Sequence, residues 1–305
     1  MRCILVALVL LLGLLPADAG QGRLQVVATF SVLGDFVKVV GGDDVELVTL
    51  VGANGDAHTF EPSPSDGVKL HRAALIFENG LGFEPWLDRI VKACGTKAKR
   101  VVVSSGVQIR HAAACEHEGE HAHDHGDADP HIWQSVARTR QIVGTIRDAL
   151  SQHDPANAAD FAERAKIYLQ QLDELDGFIR QRVAALPESS RKLFTAHDTF
   201  GYFADDYGFE IMGSALGSMS TEVADPSARE FASLIDAVKA SGVKAVFAEN
   251  THSSKFAKSL AHSAGVKVVD TLYTDALGES GTPGDTYLGM MRFNVDAIVA
   301  ALSAD

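Results

Sequence analysis

The sequence predicts an α/β protein built as two lobes, each a parallel sheet covered by helices, with one long helix between them. Three observations carry this. Short apolar, β-rich runs alternate with helix-period segments in both halves of the chain, the order that builds parallel sheets. The strand runs are almost continuously apolar, as required when both faces of a sheet are covered. Between the two alternating regions lies a single amphipathic span, 155–186.

The elements follow in order. Strands are expected at 24–30 (LQVVATF), 45–51 (VELVTLV), 73–77 (ALIFE) and 100–104 (RVVVS). Helices are expected near 32–41, 64–72 and 84–94. Residues 111–131 break the alternation: they are rich in histidine and acids, lack hydrophobic periodicity, and read as a surface loop over 112–127. Two helices follow, 132–151 and 155–186. In the second, Phe161, Ala165, Tyr168, Leu172, Leu175 and Ile179 recur at three- and four-residue steps, which marks one buried face. At the helical rise this span reaches about 48 Å. Pro187 ends it. Strands then resume at 192–196, 209–212, 243–248 and 266–270, with helices at 198–207, 226–241, 254–264 and 285–303.

The N-terminal residues read as a secretory signal. Arg2 precedes an unbroken apolar run, 4–15, and Ala17-Asp18-Ala19 supplies small residues for cleavage before Gly20. The run falls short of the roughly 20 residues a spanning helix needs. Cys3 precedes the run, so it is badly placed for lipid attachment. The expected organisation is a signal peptide 1–19, a first lobe 20–154, a linking helix 155–187 and a second lobe 188–305. The expected location is the periplasm.

Hydrophobic residues make up 46% and charged residues 22% of the chain, enough for a real core. The formal net charge of −13 disfavours nucleic acid, since phosphates need neutralising cations. It suits a cationic ligand, although solubility alone accounts for it equally. Cys94 and Cys115 remain once Cys3 is cleaved away. In an oxidising compartment they suggest one disulfide, closing a loop of about 20 residues and contributing about 3 kcal/mol. Metal binding by Cys115, beside the histidine-rich run, is the alternative.

Four segments place a potential metal ligand just after a strand or at a helix start. GDAHTFEPSPSD carries His58; DPHIWQS carries His131; TAHDTFGYF carries His197; LYTDALGES carries Asp275. A lone loop histidine is usually solvated, and a lone aspartate is often a turn former. The set is more informative, because each lobe supplies two candidates at one kind of topological position. Ligands of open α/β sheets bind outside the carboxyl ends of the strands, and with two lobes the natural site is the cleft between them.

These motifs, with GVKAVFAEN and VKVVDTLYTDALG near the C-terminus, resemble the metal-binding solute-binding proteins of ABC importers, the zinc- and manganese-uptake group called cluster A-I. The resemblance covers essentially the whole mature chain. It implies two Rossmann-like lobes joined by a rigid linking helix, with the metal site in the inter-lobe cleft and His58, His131, His197 and Asp275 as ligands. Two positions depart from the family pattern: Ala57 stands where a proline usually precedes the first histidine, and Ala276 follows Asp275 in place of proline. Neither removes a donor atom. The resemblance further implies that manganese binders carry glutamate at the third ligand position and zinc binders histidine; here it is His197. Three imidazoles and one carboxylate suit Zn²⁺, whereas Mn²⁺ prefers oxygen-rich sites.

The expected function is therefore periplasmic capture of Zn²⁺ and its delivery to a membrane permease of the ABC type, by a monomer, with a periplasmic zinc metallochaperone as a further partner. Four protein ligands leave no open position for a catalytic water, and the chain has no HExxH. Were Asp275 outside the coordination shell, a three-histidine site with water would result, so a zinc-dependent hydrolase is the rival reading. An adhesin or a buffering metallochaperone is another. The histidine-rich run, with His117, His121, His123 and His125, is either a solvated low-complexity segment or a weak collection site. Glu249 is a candidate partner for a ligand imidazole N–H. His71, His153 and His262 read as surface residues; His252, after strand 243–248, reads as a solvated loop residue, with a cleft-facing position as the alternative; Trp86, Trp133, Phe200, Tyr202 and Phe203 read as packing residues.

Overall fold

A computed structural model describes residues 23–111, 128–222 and 226–303. The signal segment, the histidine-rich run with His117, His121, His123 and His125, and Cys115 lie outside the described residues. Two four-stranded parallel sheets form, as the apolar strand runs predict. The first lobe runs β1 (Leu24–Phe30), α1 (Ser31–Gly41), β2 (Val45–Val51), α2 (Pro64–Arg72), β3 (Leu75–Glu78), α3 (Leu87–Cys94) and β4 (Lys99–Val102). Then come α4 (Val136–His153) and α5 (Ala158–Ala184). The second lobe runs β5 (Lys192–Thr195), α6 (Gly201–Tyr207), β6 (Glu210–Ser214), α7 (Ala228–Ser241), β7 (Ala245–Glu249), α8 (Lys255–Ala264), β8 (Lys267–Leu272) and α9 (Tyr287–Ser303).

The strand orders are β2-β1-β3-β4 and β6-β5-β7-β8, one topology used twice. In each, the chain leaves the first strand to one side and returns on the other. The crevice so created, between β1 and β3 or between β5 and β7, is where an open α/β sheet offers a ligand site. The helix boundaries follow from local chemistry. Ser63 and Asp66 form a capping box that starts α2 with Pro64 in its first turn, and Ser227 and Glu230 do the same for α7. Helices α6, α7 and α8 stop on left-handed Gly208, Gly242 and Gly265.

The connecting helix is shorter than its periodicity suggests. Asp154 precedes Pro155 and is driven out of the helical region, to φ −127° and ψ 80°. A single 3₁₀ turn covers Pro155–Asn157, and the α-helix starts at Ala158. Its 27 residues span about 40 Å. The six residues of the anticipated face are all buried, joined by Val183. Arg164 ties α5 to the first lobe through the carbonyls of Val40 and Gly41 and the Asp44 carboxylate.

Helix α9 returns from the second sheet to pack on α5 and α1. Its first residue, Tyr287, is buried against Phe36, donates its hydroxyl to the Trp133 carbonyl, and gives its backbone N–H to Asp35. One apolar core consequently runs through both lobes; a smaller one, around Phe194, Val238, Val246 and Leu260, lies beneath α7 and α8. Cys94 is a half-buried free thiol whose Sγ contacts the Val91 carbonyl, so the anticipated Cys94–Cys115 disulfide has no support among the described residues. The pairing reads from cysteine count alone, which says nothing about Cα separation.

Candidate metal centre

Each of the four singled-out side chains is held by a local device that frees one donor atom. His58 lies in the loop after β2. Asp56 starts a turn there, its Oδ1 accepting the His58 N–H at 2.9 Å. Its Oδ2 accepts the hydroxyls of Thr59 and, across the cleft, Thr221. The Phe83 ring meets the His58 imidazole edge-on at 4.6 Å. His131 precedes the turn into α4. Asp129 Oδ1 accepts both its backbone N–H, at 3.0 Å, and its ring Nδ1–H, at 2.8 Å. Pro130 between them presents its carbonyl to Asn79 Nδ2. The proline and the paired bonds lock the ring with Nε2 facing the cleft.

His197 follows β5 at the crevice of the second sheet. Glu249, the last residue of β7, accepts the N–H groups of Ala196 and His197 on Oε1, both at 3.0 Å. Its Oε2 accepts the Thr274 hydroxyl and lies 2.6 Å from His197 Nδ1, off the axis of a straight hydrogen bond. Asp275 follows β8. The carbonyl of its neighbour Thr274 takes bonds from Trp133 Nε1 and Gln134 Nε2 of the first lobe, which stitches the cleft shut beside the site.

The four donors converge. Asp275 Oδ2 is 3.0 Å from His197 Nε2 and 3.4 Å from His58 Nε2, while Oδ1 is 3.7 Å from His131 Nε2. The Nε2 atoms of His131 and His197 are 3.3 Å apart, and all four donors lie within 4.8 Å of one another. A tetrahedron with bonds of about 2.1 Å has edges of about 3.4 Å, so the cluster has the dimensions of a four-coordinate cation. All four side chains are buried. His58 Nε2 and Asp275 Oδ2 find no hydrogen-bond partner. Buried polar atoms without partners are costly, and a cation at the common point would satisfy both.

Protonation follows from this packing. Burial holds the His58 pKa below the ordinary histidine value, outweighing the nearby Asp275 carboxylate. At His197 burial acts the same way, but Glu249 and Asp275 together overcome it and hold the pKa well above ordinary. Asp275 is pulled well below the ordinary carboxylate range, because the His197 and His131 rings outweigh its own burial. In the metal-free protein His197 thus keeps a proton between two carboxylates, and a cation must displace it. Affinity should accordingly be weak at acid pH, rise as pH climbs through the raised His197 pKa, and release about one proton per ion. Calorimetry in buffers of differing ionisation enthalpy reads that proton count. Flat affinity from about pH 5 to 8 would contradict the assignment.

The structure also revises some individual residues. Glu249 sits beside the His197 imidazole, the kind of place its position at a strand end suggests. Of the two readings of His252, the structure favours the cleft-facing one over the solvated loop: it is half-buried, its ring perpendicular to His197 at 5.9 Å. Asp129 and Asp56 were overlooked as orienting groups, although an acid two residues before a histidine is the available signal. His71, His153 and His262 are exposed, while Trp133, Phe200, Tyr202 and Phe203 are buried as read.

Two lobes of parallel sheet closing on a buried set of four donor atoms make a carrier for a metal ion. The family model described as "Zinc-uptake complex component A periplasmic" matches residues 26–301, and the chain belongs to that family. The manganese-binding lipoprotein MntA of Halalkalibacterium halodurans is 32% identical over 94% of this chain and 91% of its own. The zinc-binding protein TroA of Treponema pallidum is 32% identical over 93% of this chain and 91% of its own. The solved structure of periplasmic TroA superposes with a TM-score of 0.82 at 31% identity, covering 92% of this chain and 99% of that one. The protein is therefore the metal-binding component of an ABC uptake system, and not an enzyme.

Replacing Glu249 with glutamine should lower metal affinity by about 10–100-fold while leaving the fold intact, the usual effect of losing a group that orients a ligand imidazole. Competition against a chromophoric chelator measures it, and an unchanged affinity would mean Glu249 merely fills space.

Proposed function

We propose that this chain captures Zn²⁺ in the periplasm through His58, His131, His197 and Asp275 and delivers it to its membrane permease. The observation that carries this reading is the donor set: three imidazole nitrogens and one carboxylate, without a second carboxylate among the described cluster. Zn²⁺ accepts four such ligands readily, whereas Mn²⁺ and Fe²⁺ gain more from oxygen-rich, higher-coordinate sites. Overall similarity does not separate the metals, since the manganese-named and zinc-named relatives are equally identical to this chain.

The reading extends to parts outside the described residues. His117, His121, His123 and His125 form a weak collection site that feeds the cleft. The chain acts as a monomer, organised as a signal peptide 1–19, lobes 20–154 and 188–305, and a linker 155–187, and it exchanges zinc with a periplasmic metallochaperone.

The test is competition titration of the mature protein, and of a variant lacking 116–126, with Zn²⁺, Mn²⁺ and Fe²⁺. One tight Zn²⁺ per chain in both proteins, not displaced by excess Mn²⁺ or Fe²⁺, is expected. Displacement by Mn²⁺ would reassign the cargo, and loss of the tight ion on deletion would move the site into the histidine-rich run.

A further inference from the structure

The two oxygens of Asp275 have different surroundings. Oδ2 finds no hydrogen-bond partner and lies 3.0 Å from His197 Nε2 and 3.4 Å from His58 Nε2, at one corner of the donor cluster. Oδ1 accepts the Thr199 hydroxyl at 3.3 Å and stays 3.7 Å from His131 Nε2, beyond ordinary hydrogen-bond reach. Thr199 is fully buried, so bulk water does not compete for that bond.

Thr199 comes from the same turn as a ligand. Glu249 Oε1 takes the N–H groups of Ala196 and His197. The His197 carbonyl accepts the Thr195 hydroxyl at 2.7 Å and the Thr199 N–H at 3.1 Å. One braced turn thus delivers an imidazole to the cluster and a hydroxyl to the carboxylate facing it. The backbone on either side of Asp275 is pinned as well. Thr274 gives its hydroxyl to Glu249 at 2.8 Å, and Leu277 gives its N–H to Ser31 Oγ at 2.9 Å. What stays soft is rotation of the carboxylate about its last bond, a broad torsion in aspartate. The Thr199 hydroxyl fixes it.

We propose that Thr199 is a specificity-determining positioning residue, which holds Oδ1 so that Asp275 offers the ion Oδ2 alone. The inference rests on the reading of Zn²⁺ as cargo. A carboxylate giving one oxygen completes four-coordination with three imidazoles, which suits Zn²⁺. The same carboxylate chelating through both oxygens adds a fifth, hard donor, which Mn²⁺ and Fe²⁺ favour. Without the hydroxyl, Oδ1 would lose the hydrogen bond it has among the described residues. A buried oxygen left without a partner gains by swinging onto the ion.

The test compares the mature protein with Thr199→Val, which removes the hydroxyl, and Thr199→Ser, which keeps it. Each is loaded with Co²⁺, whose visible bands are strong in four-coordinate sites and weak in five-coordinate ones. Each is also titrated with Zn²⁺ and Mn²⁺ against a chromophoric chelator. Strong bands are expected for the wild type and for Thr199→Ser. Thr199→Val should show weak bands, and its preference for Zn²⁺ over Mn²⁺ should fall about tenfold or more, the scale of losing a group that orients a ligand. Weak, five-coordinate bands in the wild type would overturn the proposal, and that spectrum needs no variant to fold. Wild-type bands in Thr199→Val, with both metals weakened in parallel or neither, would overturn it too, leaving Thr199 a packing residue. Mn²⁺ bound more tightly than Zn²⁺ by the wild type would instead remove the zinc reading; the contrast in Co²⁺ bands would still uphold the role of Thr199.

Discussion

Asp275→Ala is expected to abolish tight metal binding, with a loss beyond the 10–100-fold typical of removing a group behind a ligand. Asp275 is the only carboxylate of the cluster, and its two oxygens reach all three imidazole Nε2 atoms. The variant should also unfold more easily without metal. His197 would lose one of the two carboxylates that stabilise its proton but keep Glu249 at 2.6 Å, so the loss should stay below the about 3–5 kcal/mol of leaving a buried charge wholly uncompensated. Two measurements separate the effects: metal affinity by chelator competition, and thermal unfolding of the chelator-treated protein. Affinity that survives intact would take Asp275 out of the coordination shell and leave a three-histidine site.

The largest effect on stability should come from Trp133→Ala. The indole is fully buried directly behind the metal cluster, packed against Phe30 at 4.9 Å, Phe83 at 4.8 Å and the His131 ring at 5.5 Å. Its N–H reaches the Thr274 carbonyl of the other lobe. Truncating a buried tryptophan costs about 3–5 kcal/mol. At roughly 2–4 °C per kcal/mol, the melting temperature should fall by about 6–20 °C. Trp133→Phe restores packing without the inter-lobe hydrogen bond and should recover most of that loss. Equal damage from both substitutions would shift the weight from packing to the single bond with Thr274.

Much of this fold is legible in the sequence. Parallel strands buried on both faces write themselves as apolar runs, and the apolar face of α5 was readable residue by residue. The candidate ligands were legible only as a set, because two His or Asp residues from each lobe recur at one kind of position after a strand or at a helix start. Tertiary choices were hidden. Nothing in the periodicity of α9 says that it returns to α1 and α5, since an amphipathic face records that it is buried but not against what. In the sequence Asp129 is only the residue before a proline, held extended, and only the folded chain shows both of its hydrogen bonds converging on His131. The start of α5 was misplaced because the reading followed apolar spacing through Pro155, where backbone sterics prevail.

The double crossing of α5 and α9 has a consequence for traffic. Two helices bridge the lobes, both packed into the shared core, so a wide gape would tear apolar contacts along their lengths. On the proposed reading, cargo exchange is expected to run through small shifts of the loops bearing the four clustered side chains around a stiff frame. Laden and empty carriers consequently present nearly one silhouette. A permease can tell them apart only through subtle differences at the rim of the cleft, and a small difference in affinity gives weak discrimination. Empty carriers would queue at the same gate as full ones. Uptake would slow when carrier far outnumbers metal, and the cell would gain by matching its abundance to supply.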